Sequence, residues 1–369
     1  TATNVCGRSQ AWREALGAED AKKCETVDLG TVERLSFHWG DKDKLSADDF
    51  AGLANLRHLT MRGYTHPTIP NFFAHVPKLQ TLDLAQNFLH SLPDGISRLT
   101  ALEELRLAHN KLKTLPDSIR QLTRLHTLDI YHNDLTRLPP LDSFVGLRQL
   151  DFSYNYIDKF PKSVCAAAQL ETFAAAFNRM AEVSPCLGKL EKLKELDLSN
   201  NGLSALPVEL GRLTHLERVN FAANQLKGLD SSVGGWENLV FANWSNNLLE
   251  TLPPGVEGWS NLKKLELNNN RLQALPAAVG GWRKLEILIA DHNLLKDLPI
   301  EVGEWRSLQE ALLYNNRLER LPMQIANWRE VGVVDLSFNN LRELPDGINR
   351  WRRVKKVTLT GSPLRVVPG

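Results

Sequence analysis

The sequence predicts an α/β solenoid in which short parallel strands line one face and short helical or 3-10 segments line the other. Two observations support this fold class: an asparagine recurs at a nearly constant interval, and alternating leucines precede each asparagine. Ten of the eleven intervals are 23 residues long and the remaining one is 22. The positions are Asn87, Asn110, Asn133, Asn155, Asn178, Asn201, Asn224, Asn247, Asn270, Asn293, Asn316 and Asn339. A fixed period of this kind indicates stacked repeats rather than separate globular domains in the 369-residue chain.

The residues before each asparagine have the spacing of a short strand with one buried face. Leu105 and Leu107 lie two positions apart, so their side chains point inward while the intervening residue points to solvent. One such coil cannot bury its leucines alone, whereas stacked coils form a continuous core. We expect each asparagine to bond backbone groups of its own and neighbouring coils, which is a structural role.

The segment Leu102-Glu-Glu-Leu105-Arg-Leu107-Ala-His-Asn110-Lys-Leu112 resembles the LxxLxLxxNxL signature of the leucine-rich repeat family. The resemblance extends over about residues 56–368. It implies a right-handed, horseshoe-shaped solenoid with the parallel sheet on its concave face and the 3-10 segments on its convex face. It also implies that the exposed strand positions of the concave face carry the function.

A leucine–proline pair, such as Leu115-Pro116, follows most of the asparagines. Proline fixes φ where the chain enters the return segment. Six tryptophans then repeat every 23 residues, in a position that leucine or phenylalanine occupies in earlier coils. We interpret them as core residues, with small residues before them that leave room for the indoles. They are Trp236, Trp259, Trp282, Trp305, Trp328 and Trp351.

Both ends of the chain depart from the repeat, as the ends of a solenoid must if its core is to be covered. Residues 1–55 form the predicted N-terminal cap, with a helical stretch from about Ser9 to Lys23, and residues 56–345 are the repeats. Residues 346–369 form a degenerate C-terminal repeat or cap, with Ser362 at the asparagine position. This last coil is basic, which we interpret as a solvated cap surface, with an anion site as the alternative.

Composition excludes several functional classes. The 44 lysines and arginines nearly balance the 43 aspartates and glutamates, which argues against a general binder of nucleic acid or anionic membranes. Hydrophobic residues make up 43% of the chain, as in folded proteins. No run of about 18 apolar residues occurs, so we expect no membrane insertion.

The four cysteines fall into two local pairs. Cys6 and Cys24 lie in the predicted cap, and Cys165 and Cys186 lie 21 residues apart, close to one repeat. Equivalent positions in neighbouring coils are near enough for a disulfide. We therefore predict the bonds Cys6–Cys24 and Cys165–Cys186, which would indicate an oxidising compartment, with four buried thiols as the alternative.

The exposed strand positions contain an acidic group early in the chain. Asp83, Arg106, Asp129 and Asp151 occupy one column of successive repeats. Repeated carboxylates repel each other, so a cationic partner would relieve the repulsion. The alternative is a solvated face in which Arg106 bridges Asp83 and Asp129.

A strip rich in aromatic residues and histidine lies beside these carboxylates and is the predicted partner site. Exposed tyrosine, phenylalanine and arginine are typical of binding hot spots. His109 and His132 could in addition approach each other, but a metal site would need a third ligand, so we predict no metal or cofactor. The complete set of predicted partner-binding residues is His109, Asp129, Tyr131, His132, Asp151, Tyr154, Tyr156, Phe177 and Arg179.

These patterns favour a non-catalytic, monomeric module that recognises a protein or peptide on the concave face. The sequence contains no grouped nucleophile and base, and no glycine loop for phosphate. The leucine–proline style is similar to LRR effectors of plant-associated bacteria and to Ras-scaffold LRR proteins. One alternative is therefore the recognition half of a larger enzyme, such as a ubiquitin ligase, and another is an extracellular immune or adhesion ectodomain. The cysteine pairs favour a secreted protein, whereas the repeat style leaves a cytoplasmic location open.

Overall fold

The computed structural model describes residues 10–17, 21–38 and 44–365. The chain divides into two compact units, residues 1–179 and 180–369. Both are leucine-rich repeat solenoids in which each coil contributes one short strand and one return segment. The fold class predicted from the repeat is therefore confirmed.

Each unit has a parallel sheet whose strands follow one another in chain order. The strands of the first unit are β1 (Arg34–His38), β2 (His58–Arg62), β3 (Thr81–Asp83), β4 (Glu104–Arg106), β5 (Thr127–Asp129), β6 (Gln149–Asp151) and β7 (Thr172–Ala174). Those of the second are β8 (Glu195–Asp197), β9 (Arg218–Asn220), β10 (Phe241–Asn243), β11 (Lys264–Glu266), β12 (Ile287–Ile289), β13 (Glu310–Leu312), β14 (Val333–Asp335) and β15 (Lys356–Thr358). The register pairs equivalent repeat positions, for example Leu82 with Leu105. Residues of one sequence column therefore lie side by side.

Two α-helices lie near the N-terminus, α1 (Gln10–Ala15) and α2 (Ala21–Thr26), where the sequence predicted one helical stretch. The chain leaves α1 at Gly17, whose φ of 65° is left-handed and suits glycine at a helix end. Most return segments are 3-10 helices of three to five residues, whereas the segment between β5 and β6 contains only turns. They span Leu29–Thr31, Ala47–Phe50, Phe73–His75, Asp94–Arg98, Asp117–Gln121, Lys162–Ala166, Pro185–Lys189, Val208–Arg212, Ser231–Gly235, Pro254–Gly258, Ala277–Gly281, Ile300–Glu304, Met323–Asn327 and Asp346–Arg350.

Proline stands directly before most of these 3-10 helices, as the sequence predicted. Pro116 has φ −65° and ψ 140°, and its carbonyl accepts a hydrogen bond from the Ile119 N–H. The ring thus holds the extended conformation from which the helical turn starts, and the missing N–H removes no ladder bond.

The asparagine column forms a ladder of side-chain to backbone hydrogen bonds. Asn110 Oδ1 accepts from the Leu89 N–H of the preceding coil at 3.0 Å. Its Nδ2 donates to the Leu84 carbonyl of that coil at 2.9 Å and to the Leu107 carbonyl of its own coil at 3.0 Å. The predicted structural role is confirmed, because one amide satisfies three buried peptide groups. In the last coil, Ser362 Oγ donates to the Leu336 carbonyl at 3.5 Å and reproduces one of these bonds.

The tryptophan column is buried, as predicted. Trp259 and Trp282 are both fully buried, and their rings stack 6.1 Å apart. Each indole N–H also donates to a carbonyl in the 3-10 helix of the preceding coil. For example, Trp259 Nε1 donates to the Val233 oxygen at 2.9 Å. The column is therefore both a hydrophobic core and a second hydrogen-bond ladder.

The glycines before the tryptophans have a different role from the one predicted. A Cβ at Gly258 would fall on the carbonyl oxygen of Gly234 in the preceding coil, and one at Gly281 on that of Glu257. These glycines make room for the neighbouring backbone rather than for the indole, so they determine how closely successive return segments pack.

The N-terminal region contains a strand of the sheet. Strand β1 pairs in parallel with β2, although it lies within the residues assigned to the cap. Around it Trp12 contacts Phe37 and Phe50 edge-on, at centroid distances of 4.6 and 5.1 Å, which covers this end of the core. The division into cap, repeats and C-terminal cap stays a prediction.

The cysteines of the described residues are oxidised. Cys24, Cys165 and Cys186 are each disulfide-bonded, whereas Cys6 lies outside the described residues. The predicted pairs, Cys6–Cys24 and Cys165–Cys186, remain a proposal. Peptide mapping without reduction tests it, and a peptide that joins Cys24 to Cys165 would contradict it.

Candidate functional site

Four exposed rings form a continuous row on the first unit. This row, which we call the ring row, consists of His109, His132, Tyr154 and Phe177, one from each of four successive coils. The centroid distances along it are 4.9 Å for His109–His132, 5.9 Å for His132–Tyr154 and 4.0 Å for Tyr154–Phe177. All three contacts are stacked. The structure therefore brings four of the predicted site residues into one surface.

The backbone at every ring-row position is left-handed. The φ angles are 56° at His109, 54° at His132, 56° at Tyr154 and 52° at Phe177. This conformation costs a residue with a Cβ about 1–2 kcal/mol, with asparagine among the few residue types that adopt it readily. Bulky rings are therefore placed where the repeat geometry favours a different side chain.

The second unit shows which side chain the geometry favours. All its residues in this column are also left-handed, with φ between 51° and 56°. They are Asn200, Ala223, Asn246, Asn269, His292, Asn315 and Phe338. Asparagine occupies four of these seven positions, whereas the first unit has none. The recurrent asparagines are a sequence signal of this conformation. The exposed chemistry of the column, by contrast, does not predict the left-handed backbone.

Tyr131 fills the space beside the ring row. It is half-buried, and its ring meets those of His109 and Tyr154 edge-on, each at a centroid distance of 5.1 Å. The equivalent position holds Ala108 in the preceding coil and Ser153 in the following one. A tyrosine therefore enlarges the aromatic surface at the centre of the row.

Asp129 lies two residues before Tyr131 in the chain, and Asp151 is its partner on the adjacent strand. Asp129 Oδ1 accepts from the Tyr131 N–H at 3.0 Å, and Asp151 Oδ1 accepts from the Ser153 N–H at 2.8 Å. Burial raises the pKa of Asp129, opposed by its hydrogen bond from Tyr131 and by nearby Arg106. Burial is also the main cause of the raised pKa of Tyr131, to which Tyr154, Asp151 and Asp129 add. The environment of this cluster thus disfavours added negative charge.

The alternative in which Arg106 bridges two aspartates is wrong. Arg62 binds Asp83, at 2.7 Å between Nη2 and Oδ2, whereas Arg106 binds Glu104 of its own strand at 3.0 Å. Asp83 is thus neutralised from the preceding coil. Arg106 acts on Asp129 only through its electric field.

Tyr156 and Arg179 form a second pair beyond the asparagines. The Arg179 guanidinium lies over the Tyr156 ring, 4.6 Å from its centroid, in a cation–π contact. Both side chains are exposed, and they follow the asparagine in adjacent coils. The pair adds a flat, charged surface to the region of the chain that contains the ring row.

The second unit has an aromatic group in the same columns. His292 and Tyr314 meet edge-on at 5.2 Å, and His292 Nδ1 lies 2.8 Å from Oδ2 of the buried Asp291. Phe338 is 61% exposed. These residues are equivalent by column to members of the first group, which makes them useful as matched controls.

The described residues contain no cluster of three or more histidines, cysteines or carboxylates that could hold a metal ion. Within that same part of the chain, none of the helices could traverse a lipid bilayer.

Comparisons with known proteins agree with this architecture. The family description "Leucine-rich repeat region" matches residues 33–173, and "Leucine Rich Repeat" matches residues 192–213. A comparison with curated protein sequences gave no match.

Solved structures of similar fold come from bacteria and plants. A leucine-rich repeat protein of Leptospira interrogans is 28% identical, with a TM-score of 0.85 over 91% of this chain and 86% of that one. The plant peptide hormone receptor RGFR1 in complex with RGF2 is 23% identical, with a TM-score of 0.76 over 91% of this chain. The Arabidopsis receptor kinase HAESA, in complex with the peptide hormone IDA and the co-receptor SERK1, is 24% identical, with a TM-score of 0.67 over 87% of this chain. The chain covers only 60% of either receptor chain.

The repeat pattern, the stacked parallel coils and these matches define the class of protein. The chain is a leucine-rich repeat protein. Its fold supports a protein-interaction module, a class whose members are typically non-catalytic.

Proposed function

We propose that this protein is a non-catalytic, monomeric binding module that recognises a protein or peptide segment through the ring row, Tyr131 and the adjacent carboxylates. The observation that carries the proposal is the occupation of four consecutive left-handed positions by large exposed rings. The left-handed backbone itself recurs in both units, so it is the large rings that distinguish these four coils. Rings at these positions give no core packing in return, because His109, His132, Tyr154 and Phe177 all face solvent.

The chemistry of the site favours a partner with a basic side chain beside an apolar one. Aromatic faces attract cations, and the carboxylates of Asp129 and Asp151 would pair with a lysine or arginine placed across the sheet. The stacked Tyr154 and Phe177 rings, 38% and 41% exposed, offer apolar area for a neighbouring side chain. We place Tyr156 and Arg179 at the rim, where charged contacts determine selectivity more than affinity.

The comparisons support a peptide-sized partner. Two structures of similar fold, RGFR1 and HAESA, were solved in complex with RGF2 and with the peptide hormone IDA, respectively. In HAESA, a protein of similar fold, the bound partner is thus a peptide hormone. For this chain the partner chemistry is inferred from its own side chains.

The test begins with selection of a displayed random peptide library on the wild-type protein, followed by affinity measurement of the selected peptides by fluorescence anisotropy. The variant carries Tyr131→Ala, Tyr154→Ala and Phe177→Ala. We expect at least a tenfold loss of affinity, because one desolvated aromatic anchor alone contributes about 2 kcal/mol. Selected peptides should be enriched in lysine or arginine.

A matched control separates this site from general effects of aromatic truncation. It carries His292→Ala, Tyr314→Ala and Phe338→Ala, which are equivalent column positions of the second unit. We expect wild-type affinity from this control. Full affinity in the first variant together with a loss in the control would place binding elsewhere and contradict the proposal.

A further inference from the structure

Four arginines form a column in the second unit, one directly after each of the last four tryptophans. They repeat every 23 residues, so they occupy the same position in successive coils. The residues are Arg283, Arg306, Arg329 and Arg352. This column lies after the return segments and belongs neither to the ring row nor to the sheet.

The backbone that carries these arginines is held rigidly. Trp328 and Trp351 stack 5.8 Å apart, and their indole N–H groups donate to the Val302 and Ile325 carbonyls, both at 2.8 Å. Both rings are at least nine-tenths buried. The backbone of the arginine that follows each tryptophan is therefore fixed in position. Successive arginines are close at their Cα atoms, because coils stack about 5 Å apart.

In one coil, an acidic residue directly before the tryptophan pairs with the arginine after it. Glu304 occupies this position in one coil, and its Oε2 lies 3.8 Å from Nη2 of Arg306. The next two coils place Asn327 and Arg350 there instead. The acidic partner is thus replaced first by a neutral residue and then by a further cation.

A polar depression of about 460 Å³ opens where the acidic partner is replaced. Three guanidinium-bearing residues and two amides line it, with one small apolar residue and no carboxylate. The lining residues are Ala326, Asn327, Arg329, Asn349, Arg350 and Arg352. Nearby Glu330 is already bound to Arg353, whose side chain lines a different depression.

The three arginines of the depression have no acidic partner within 4 Å in the described part of the chain. Like charges gathered on a fixed scaffold repel one another, and a bound anion would remove that repulsion. Guanidinium groups bind tetrahedral oxyanions with paired N–H donors, and asparagine amides add further donors.

We propose that this depression binds a phosphate or sulfate group. Arg329, Arg350 and Arg352 supply the positive charge and most of the donors, and Asn327 and Asn349 complete the set. The net charge of +1 for the whole chain does not reveal such a local cluster of cations. The site would give the protein a second ligand class, distinct from the peptide segment proposed for the ring row.

The experiment is calorimetric titration of the full chain with inorganic phosphate, with sulfate, and with a phosphoserine peptide, each against chloride at matched ionic strength. The test variant is Arg350→Gln with Arg352→Gln, which removes two charges from the depression. The control is Arg283→Gln with Arg306→Gln, which removes two charges from the same column outside it. We expect the test variant to bind the anions at least tenfold more weakly and the control to bind as the wild type does.

The anions also identify the source of the ligand. Equal affinity for inorganic phosphate and the phosphopeptide would indicate a free anion, whereas tighter binding of the phosphopeptide would indicate a phosphorylated partner. Both results support the proposal. Equal weakening in the two double variants, or equal responses to phosphate and chloride, would show only general charge screening and would overturn it.

Discussion

At the scale of single residues, the informative positions are those where a side chain departs from what its column favours. Asn246 and Asn269 suit the left-handed backbone before the ladder asparagine, whereas Tyr154 and Phe177 do not. Tyr131 stands where neighbouring coils have alanine or serine. The rings of Tyr154 and Phe177 add exposed aromatic surface at some cost to local stability, and together with Tyr131 they form one patch.

Asp129 gives a prediction at this scale. Its raised pKa means that the folded protein holds a proton at pH values where the unfolded chain has lost it. The unfolding free energy therefore falls as pH rises from the unfolded pKa, about 4, through the raised folded value. The ionised carboxylate is destabilising above this window, and its contribution disappears below it.

Asp129→Asn should accordingly raise the unfolding free energy at neutral pH and leave it unchanged near pH 3. The amide oxygen can still accept the Tyr131 N–H, as Asn243 does from Ser245 at 2.9 Å in the same column. Urea unfolding of both proteins between pH 3 and 7 measures the difference. A variant less stable at pH 7 than the wild type would contradict the burial explanation.

At the scale of the repeat element, three ladders hold each coil to the next. The strands form backbone hydrogen bonds with each other, and the asparagine side chain bonds peptide groups of the turn. From Trp236 onward, the indole N–H also donates to a backbone carbonyl of the return segment in the preceding coil. The sequence predicted the first two, because leucine and asparagine spacing directly reflects strand and turn. It predicted the burial of the tryptophans but not their hydrogen bonds, since a periodic indole alone does not reveal which carbonyl lies opposite.

Gly258→Ala tests the close packing of return segments. The added Cβ would collide with the Gly234 carbonyl, so we expect a loss of roughly 1–3 kcal/mol in unfolding free energy. Gly228→Ala is the control, because nothing lies within 4 Å of its Cβ position. This control should be neutral or slightly stabilising. Equal effects of the two substitutions in urea unfolding would show that coil spacing does not depend on these glycines.

At the scale of the whole molecule, regular repeats provide the scaffold and irregular ones the candidate sites. The period alone predicted the fold class, the buried columns and the surface on which His109, His132, Tyr154 and Phe177 meet. It did not predict the ion pairs of Arg62 and Arg106. A long charged side chain can reach several carboxylates, and the sequence does not show which of them it binds. For the basic last coil the sequence left an anion site only as an alternative, because the free charge at Arg350 depends on which acidic residues are already paired.

The central claim is that the ring row serves binding and not folding. The most direct measurement compares stability and affinity in one variant, His132→Asn with Tyr154→Asn and Phe177→Asn, which installs the residue that four coils of the second unit use. We predict an unfolding free energy equal to or above that of the wild type, because asparagine suits the left-handed backbone. We also predict at least a tenfold loss of affinity for the selected peptides. A variant that is destabilised by more than about 1 kcal/mol yet binds normally would contradict the account.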